Sequence, residues 1–173
     1  RRGAKVFLVT GPAHLEYPSG VEVIPVRSAR EMHAAAMQIY RDVDVVIAAA
    51  AVADYRPLEY SSSKIKKSDD DLVLKLTRNP DILGEMGQKK GHQILVGFAA
   101  ETDEVLNNGR AKLEKKNLDL LVANDVTAEG AGFGSDTNIV TLIFRDGTTR
   151  PLPRMAKTEV ARVIIDAILE IAK

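Results

Sequence analysis

The sequence contains no cysteine and only three histidines, and both shortages limit the chemistry available to the chain. Without cysteine there is no disulfide, no thiolate zinc site and no cysteine nucleophile, which agrees with a cytosolic setting. The histidines, His14, His33 and His92, are scattered along the chain and show no metal-ligand spacing. We therefore assign no metal-ligating residues.

The chain also lacks an excess of either charge and a long apolar run. Lys plus Arg and Asp plus Glu number 24 each, so no overall field attracts nucleic acid or an anionic membrane, and an anionic ligand needs a local cluster of cations. The longest apolar run, Val45 to Ala53, is far shorter than the roughly 20 residues of a membrane-spanning helix, and we expect no signal peptide before the domain. We expect a soluble, cytoplasmic protein with no nucleic-acid and no membrane partner.

The length and the apolar content are sufficient for one domain. A chain of 173 residues that is 45% hydrophobic predicts a single compact domain over residues 1–173. The chain opens at Arg1-Arg2-Gly3-Ala4 without methionine and enters a strand at once, as if a helix had just ended. We expect an earlier strand and helix of the fold to lie outside this sequence.

Predicted strands and helices alternate along the chain. Strands are predicted at residues 5–10, 21–26, from 45, 72–76, 93–98, 118–126 and 139–144, the last forming a hairpin across Asp146-Gly147. Helices are predicted from Ser28, from Asn79, over residues 103–116 and over residues 160–171. Strands that are apolar on both faces and separated by helices predict a doubly wound, mostly parallel sheet in a three-layer α/β/α arrangement, with the antiparallel hairpin at one edge.

The carboxyl ends of the strands are the predicted binding edge, because ligands of such sheets bind beyond those ends. The ends carry Thr10 to Pro12, Ala50 to Asp54, Gly97 to Glu101 and Ala123 to Asp125. The four consecutive alanines Ala48 to Ala51 are poor strand formers, and they leave room above the backbone for a flat ligand.

A lysine-rich segment lies between serines and acidic residues, at Lys64-Ile65-Lys66-Lys67. One interpretation is a solvated surface loop. The other is a flap at about residues 58–71, in which an extended backbone would put Lys64 and Lys66 on one side to neutralise a polyphosphate.

Asn79-Pro80-Asp81-Ile82 is typical of a helix start, with Asn79 as the N-cap and Pro80 in the first turn. The free backbone N–H groups of such a start can also hold an anion. Asp54 is either part of a simple corner with Tyr55 to Pro57 or a partner for a ribose or a metal.

Two further sites have equally open interpretations. Phe98 is a core residue or a wall against a flat base. Lys112 and Lys116 lie four residues apart on one helical face, where they either extend along the buried stripe to solvent or bind phosphate. If the helix starts at Asp103, Lys112 lies about 13 Å along it at ~1.5 Å per residue, so a kink or a later start is expected.

Taken together and in order, these motifs closely resemble those of phosphopantothenate–cysteine ligase, also called phosphopantothenoylcysteine synthetase. The matching segments are Ala50 to Arg56, Lys64 to Lys67, Asn79 to Ile82, Gly97 to Thr102, Lys116 to Asp119, Ala123 to Val126 and Gly132 to Asn138. The resemblance implies a Rossmann-like fold and a role in coenzyme A biosynthesis. It implies that CTP, with Mg²⁺, converts 4′-phosphopantothenate to an acyl-cytidylate, which cysteine then attacks.

The resemblance also implies the site residues. Ala48, Ala49, Ala50 and Asp54 would hold the nucleotide, and Lys64 of the flap would be the catalytic contact to the triphosphate. The helix start from Asn79 through Pro80 and Asp81 to Ile82 would meet the nucleotide, Phe98 would line the base, and Lys112 and Lys116 would bind phosphate. The strand end at Ala123 to Asp125 resembles a segment near the family's dimer interface, so a homodimer is expected.

In many bacteria this ligase is the carboxyl-terminal half of a bifunctional protein, and FMN belongs only to its decarboxylase half. The family also has an upstream glycine-rich turn and an asparagine that stabilises the acyl-nucleotide, and this chain begins after both. The residues that bind the acyl group are therefore not assigned.

Two alternatives belong to other classes. Tyr60 and Lys64 match the Tyr-x-x-x-Lys pair of short-chain dehydrogenases, which bind NAD(P). That pair needs a helix, and three serines beside Ile65-Lys66-Lys67, together with Pro57, disfavour one. A non-catalytic nucleotide-binding module is the other alternative. Gly132 to Asp136 lacks the third glycine and the strand-to-helix context of a dinucleotide fingerprint, so that match is rejected.

Overall fold

The computed structural model describes residues 2–13, 16–66, 71–101, 105–125 and 135–173. The strands are β1 (Phe7–Thr10), β2 (Glu22–Pro25), β3 (Val45–Ala48), β4 (Tyr55–Pro57), β5 (Leu76–Arg78), β6 (Ile94–Glu101), β7 (Leu120–Asp125), β8 (Thr137–Phe144) and β9 (Thr149–Ala156). The helices are α1 (Ala29–Ile39), α2 (Ile82–Gln88), α3 (Val105–Lys115) and α4 (Lys157–Ile171). His14, Lys67, the predicted helix start at Asp103 and the rejected fingerprint at residues 132–134 lie outside the described residues.

The chain divides into two compact units. The smaller comprises Arg1–Gln38 and Ala51–Asp81, and the larger comprises Ile39–Ala50 and Ile82–Lys173. The single ligase domain with a flap at about 58–71 stays a prediction. No helix within the described ranges is both long and apolar enough to cross a membrane.

In the smaller unit, β1 and β2 pair in parallel, from Phe7 opposite Glu22 to Thr10 opposite Pro25. The predicted capping residues start α1: the Glu31 N–H donates to the Ser28 hydroxyl at 3.2 Å. The Glu31 carboxylate accepts from the Arg27 N–H at 2.9 Å, so it holds the chain that enters the helix.

Two local predictions in the smaller unit are wrong. Tyr55 to Pro57 is not a corner but β4, which pairs antiparallel with β5 from Tyr55 opposite Arg78 to Pro57 opposite Leu76. The alternating segment at residues 72–76 is a strand only at its last residue, Leu76, because the described neighbour β4 pairs with Leu76 to Arg78. Alternation alone does not specify a strand where the side chains on both faces remain exposed.

The larger unit is built on a five-stranded sheet in the order β3-β6-β7-β8-β9. β3, β6 and β7 are parallel, whereas β8 and β9 are antiparallel to their neighbours. The hairpin turns at Gly147, whose φ of +85° suits glycine. Pro151 and Pro153 lie on β9, which is an edge strand among the strands that the structure describes, and such a position tolerates their missing N–H groups. The mostly parallel sheet with an added antiparallel hairpin confirms the predicted fold class.

Helices cover both faces of this sheet. On one face the buried stripe of α4, including Val160 and Ile164, packs in one core cluster with Leu120, Val122 and Leu142. On the other face α3 lies so close that a Cβ on Gly109 would be 2.5 Å from the Ile143 side chain. Successive strand residues point to opposite faces, so the apolar runs serve both layers. Each fully buried leucine or valine contributes roughly 1.5–3 kcal/mol.

Asp119 joins the loops at the amino ends of the strands in the larger unit. Both of its carboxylate oxygens lie 2.6 Å from the Lys90 ammonium, and one also accepts from the Leu95 N–H at 2.8 Å. Arg145 approaches the same carboxylate at 3.5 Å. The side chains of Lys90 and Asp119 are only 10% and 14% exposed, so solvent screens this pair weakly.

Asp119→Ala is expected to lower the free energy of unfolding by about 3 kcal/mol, because it leaves a largely buried ammonium and a strand N–H without their acceptor. Glu22→Ala is the matched control, since Glu22 pairs with Lys5 at 3.7 Å on the surface with both side chains more than half exposed. A surface pair of this kind contributes about 0–1 kcal/mol. Urea unfolding of both variants measures the difference, and equal losses would contradict a structural role for the buried pair.

Candidate functional site

The predicted nucleotide residues fall in both compact units. The smaller unit contains Asp54, Lys64, Asn79, Pro80 and Asp81. The larger unit contains Ala48, Ala49, Ala50, Ile82, Phe98, Lys112 and Lys116.

In the smaller unit, hydrogen bonds from Asn79 join the segment Asn79–Asp81 to the segment that carries Asp54. Its backbone N–H donates to the Asp54 carbonyl at 2.8 Å, and its side-chain Nδ2 donates to the Ala53 carbonyl at 2.8 Å. Its Oδ1 accepts from Arg56 Nη1 at 3.2 Å. The structure therefore brings Asp54 and Asn79 together.

The predicted capping role of Asn79 is wrong. The helix α2 begins at Ile82, three residues later, so Pro80 also lies before the helix rather than in its first turn. The Asn79 amide is engaged with Ala53 and Arg56 and is not directed at the N–H groups of α2. A contact between Asn79 to Ile82 and a nucleotide stays a prediction, but it no longer follows from an asparagine cap.

Lys64 lies in an exposed segment without regular secondary structure. Residues 60–66 form no helix, so the side chains of Tyr60 and Lys64 are not brought to one helical face. Tyr60 is 93% exposed. This geometry fits a loop or a flap and does not fit the Tyr-x-x-x-Lys pair of a dehydrogenase.

In the larger unit, β3 ends at Ala48, which pairs with Gly97 of β6. Ala49 and Ala50 follow as exposed residues outside the strand. A Cβ on Gly97 would lie 2.8 Å from the Leu118 side chain and 3.0 Å from that of Leu83, so glycine lets the neighbouring leucines close over β6. Gly97, opposite the end of β3, therefore serves packing, whereas access to the backbone of Ala48 to Ala50 stays a prediction.

Phe98 follows Gly97 and packs against the core cluster that α4 covers. Alternation along β6 puts its ring on the face opposite the Leu83 and Leu118 contacts of Gly97. Packing in the core is thus an observed role of Phe98. Its role as a wall against a base stays a prediction.

The Lys112 ammonium lies 3.5 Å from the Phe98 carbonyl oxygen. In the described part of the chain α3 spans Val105 to Lys115, and the expectation of a kink or a later helix start stays a prediction. Side chains of a helix lean toward its amino terminus, and this direction lets Lys112 reach back along the sheet. Lys116 lies one turn further on and is half-buried.

The backbone around Lys116 is fixed by the end of α2. A Cβ on Gly87 would lie 2.0 Å from the Lys116 carbonyl oxygen, and the Asn117 side chain donates to the Gly87 carbonyl at 2.9 Å. Asn117 has a φ of +52°, and the Leu118 N–H donates to the Leu113 carbonyl, which together end α3 in a Schellman arrangement. The motif at residues 116–119 is thus first of all a helix end.

Sequence reasoning assigned no role to Arg56, although it lies in the motif Ala50 to Arg56. No local pattern pointed to it, because its partners Arg78 and Asn79 lie more than 20 residues away. Among the described residues no group of three or more His, Cys, Asp or Glu side chains could hold a metal ion.

Comparison with known proteins places these features in a wider group. The model of the family described as DNA/pantothenate metabolism flavoprotein C-terminal domain matches residues 1–171. The chain is 51% identical over 172 residues to the coenzyme A biosynthesis bifunctional protein CoaBC of Bacillus subtilis (strain 168), covering 99% of the chain and 42% of that protein. It is 45% identical over 169 residues to a cysteine/cysteine sulfinic acid decarboxylase of an unknown prokaryotic organism, covering 96% and 47%.

Among solved structures, the crystal structure of the C-terminal domain of a coenzyme A biosynthesis bifunctional protein CoaBC superposes with a TM-score of 0.82. It is 44% identical in sequence, and the match covers 98% of this chain and 77% of that one. The chain spans less than half the length of the two relatives above.

Proposed function

The chain belongs to the family of DNA/pantothenate metabolism flavoprotein C-terminal domains, and on this basis we propose that it is a phosphopantothenate–cysteine ligase of coenzyme A biosynthesis. The observation that carries the proposal is the 51% identity to a CoaBC protein over 99% of the chain. The carboxyl-terminal part of such a protein is the ligase that the sequence motifs predict.

The proposed reaction has two steps. An oxygen of the 4′-phosphopantothenate carboxylate attacks the α-phosphorus of CTP, and pyrophosphate leaves. The cysteine amine then attacks the acyl carbon of the acyl-cytidylate, loses a proton and forms the amide, and CMP leaves. A carboxylate needs such activation because its oxygen is a poor leaving group, and no side-chain nucleophile is required.

The candidate residues suit the nucleotide in this reaction. Negative charge builds up on the leaving pyrophosphate, and cations lower the energy of that state. Lys64, Lys112 and Lys116 are the proposed cations. The backbone of Ala48 to Ala50, the Asp54 side chain and the segment from Asn79 to Ile82 are the proposed contacts to the rest of the nucleotide, with Phe98 near the base.

Mg²⁺ fits this site as a companion of the triphosphate. In nucleotide sites Mg²⁺ is held by one or two carboxylates together with substrate phosphates, and it keeps several waters. Asp54 is an exposed carboxylate on the segment that Asn79 holds, so it is the proposed protein partner. When bound, the ion would neutralise phosphate charge.

The wider setting is also part of the proposal. The chain would act in the cytoplasm as a homodimer and beside a flavin-dependent decarboxylase domain that binds FMN. The decarboxylase named among the relatives is a whole protein, of which the match covers 47%. The decarboxylase activity in its name can belong to the part outside the match, so the name does not conflict with a ligase in the matched region.

CTP with Mg²⁺ is expected to raise the melting temperature of the complete domain more than ATP or NADPH does. At about 100 times the dissociation constant, a ligand adds about 2.7 kcal/mol, which corresponds to roughly 5–10 °C for a protein of this size. Differential scanning fluorimetry with each nucleotide measures the shift. Equal shifts with CTP and ATP would remove the CTP assignment, and a shift with NADPH alone would favour the dehydrogenase.

Lys64→Gln is expected to slow pyrophosphate release from CTP and 4′-phosphopantothenate by about 100-fold, the size of effect seen when one charge-stabilising group is removed. A pyrophosphate assay measures the rate. Lys75→Gln is the matched control, because Lys75 is an exposed lysine outside the predicted flap and the substitution removes the same charge. Unchanged turnover in Lys64→Gln, or equal loss in both variants, would show that Lys64 has no specific role.

A further inference from the structure

Arg56 has no place in the proposed chemistry, yet its guanidinium bridges the end of the β4–β5 ladder. Arg56 Nη1 donates to the Arg78 carbonyl and also lies 3.2 Å from Asn79 Oδ1. Arg56 itself is opposite Thr77 in the ladder, one pair away from the end at Tyr55 and Arg78. The side chain therefore reaches past the last ladder pair to the next residue of the opposite strand.

The contact with Arg56 fixes the orientation of the Asn79 amide. A guanidinium has only donors, so Asn79 must turn its oxygen toward Arg56. Its NH₂ group is then directed at the Ala53 carbonyl, where it lies at 2.8 Å. The opposite orientation would place donor against donor at Arg56 and acceptor against acceptor at Ala53. Arg56 thus selects the one amide orientation that binds Ala53.

Beyond the ladder, the two hydrogen bonds that Asn79 donates join two segments that carry candidate nucleotide contacts. One segment is Ala53 and Asp54, and the other is Asn79 to Asp81. Loss of the Asn79 amide removes its hydrogen bond to the Ala53 carbonyl and leaves the bond from the Asn79 N–H to the Asp54 carbonyl. Losing one of these two bonds at an exposed ladder end weakens the constraint between the segments.

We propose that Arg56 is a positioning residue for the nucleotide: it orients the Asn79 amide and thereby holds Asp54 at a fixed place relative to Asn79–Asp81. The inference rests on the proposed function, since it takes these segments as nucleotide contacts. Arg56 need not touch the substrate. Small displacements of such contacts cost large factors in affinity and rate.

The test compares steady-state kinetics of the purified protein with Arg56→Gln, Arg56→Lys, Asn79→Ala and the double variant Arg56→Gln/Asn79→Ala. Arg56→Gln is expected to raise the KM for CTP about 10-fold and to leave the KM for 4′-phosphopantothenate within about twofold. Arg56→Lys keeps a cationic donor and should restore most of the CTP affinity. Because both side chains act through one contact, the double variant should resemble the more severe single variant.

Arg154→Gln is the matched control, since Arg154 is an exposed arginine on β9 in the larger unit, and it should leave both KM values unchanged. A purely structural role would reduce the folded fraction, which lowers the apparent kcat and leaves KM unchanged. If Arg56→Gln does not fold, Arg56→Met, which keeps the aliphatic stem and removes the donors, takes its place in the same comparison.

An unchanged KM for CTP in the folded variants, or fully additive effects in the double variant, would overturn the positioning role while wild-type activity stands. Absence of CTP-dependent ligation in the wild-type protein would instead remove the proposed function, and the inference with it.

Discussion

The carboxylate of Asp119 is the constraint on which the arrangement of the larger unit depends. The carboxylate accepts hydrogen bonds from the Lys90 ammonium and the Leu95 N–H and forms an ion pair with Arg145. The backbone of Asp119 is also hydrogen-bonded to the backbones of Leu95 and Arg145. These partners belong to the loops and strand starts around β6, β7 and the β8–β9 hairpin. One largely buried acceptor thereby holds these segments together at the amino ends of the parallel strands. If some of its donors were lost, the partly satisfied network would be less stable than an apolar core.

Glycines complete this arrangement by letting backbones approach. Gly87 admits the carbonyl of Lys116, Gly97 admits leucines from both neighbouring segments, and Gly109 brings α3 against Ile143. Each contact is too close for a side chain, so the layers that carry Lys112 and Lys116 have little freedom to shift. The same packing that stabilises the fold fixes the backbone from which these proposed phosphate contacts extend.

The sequence predicted the layers of the fold because hydrophobic periodicity depends on local spacing. The stripe on α4 and the turn at Asp146-Gly147 are both found in the structure, since burial and turn chemistry act within a few residues. Asn79 shows where such reasoning fails: an asparagine before proline favours a cap, but partners at Ala53 and Arg56, more than 20 residues away, engage its amide instead. The predicted bounds of β5 were wrong for a related reason, because pairing with β4, and not alternation, determines where that strand begins and ends.

The candidate site was predictable only as a set of motifs. Their order indicated the ligase family, which the match over residues 1–171 confirms, whereas the role of Arg56 depends on a bond between residues 56 and 79 that no local pattern encodes. The central claim is that the substrate carboxylate is activated as an acyl-cytidylate. The most direct measurement supplies 4′-phosphopantothenate labelled with ¹⁸O in that carboxylate, together with cysteine, CTP and Mg²⁺, and determines by mass spectrometry which product carries the label. The account predicts one ¹⁸O atom in CMP for each amide formed, and amide formation with CMP free of label, or with CDP and labelled phosphate, would contradict it.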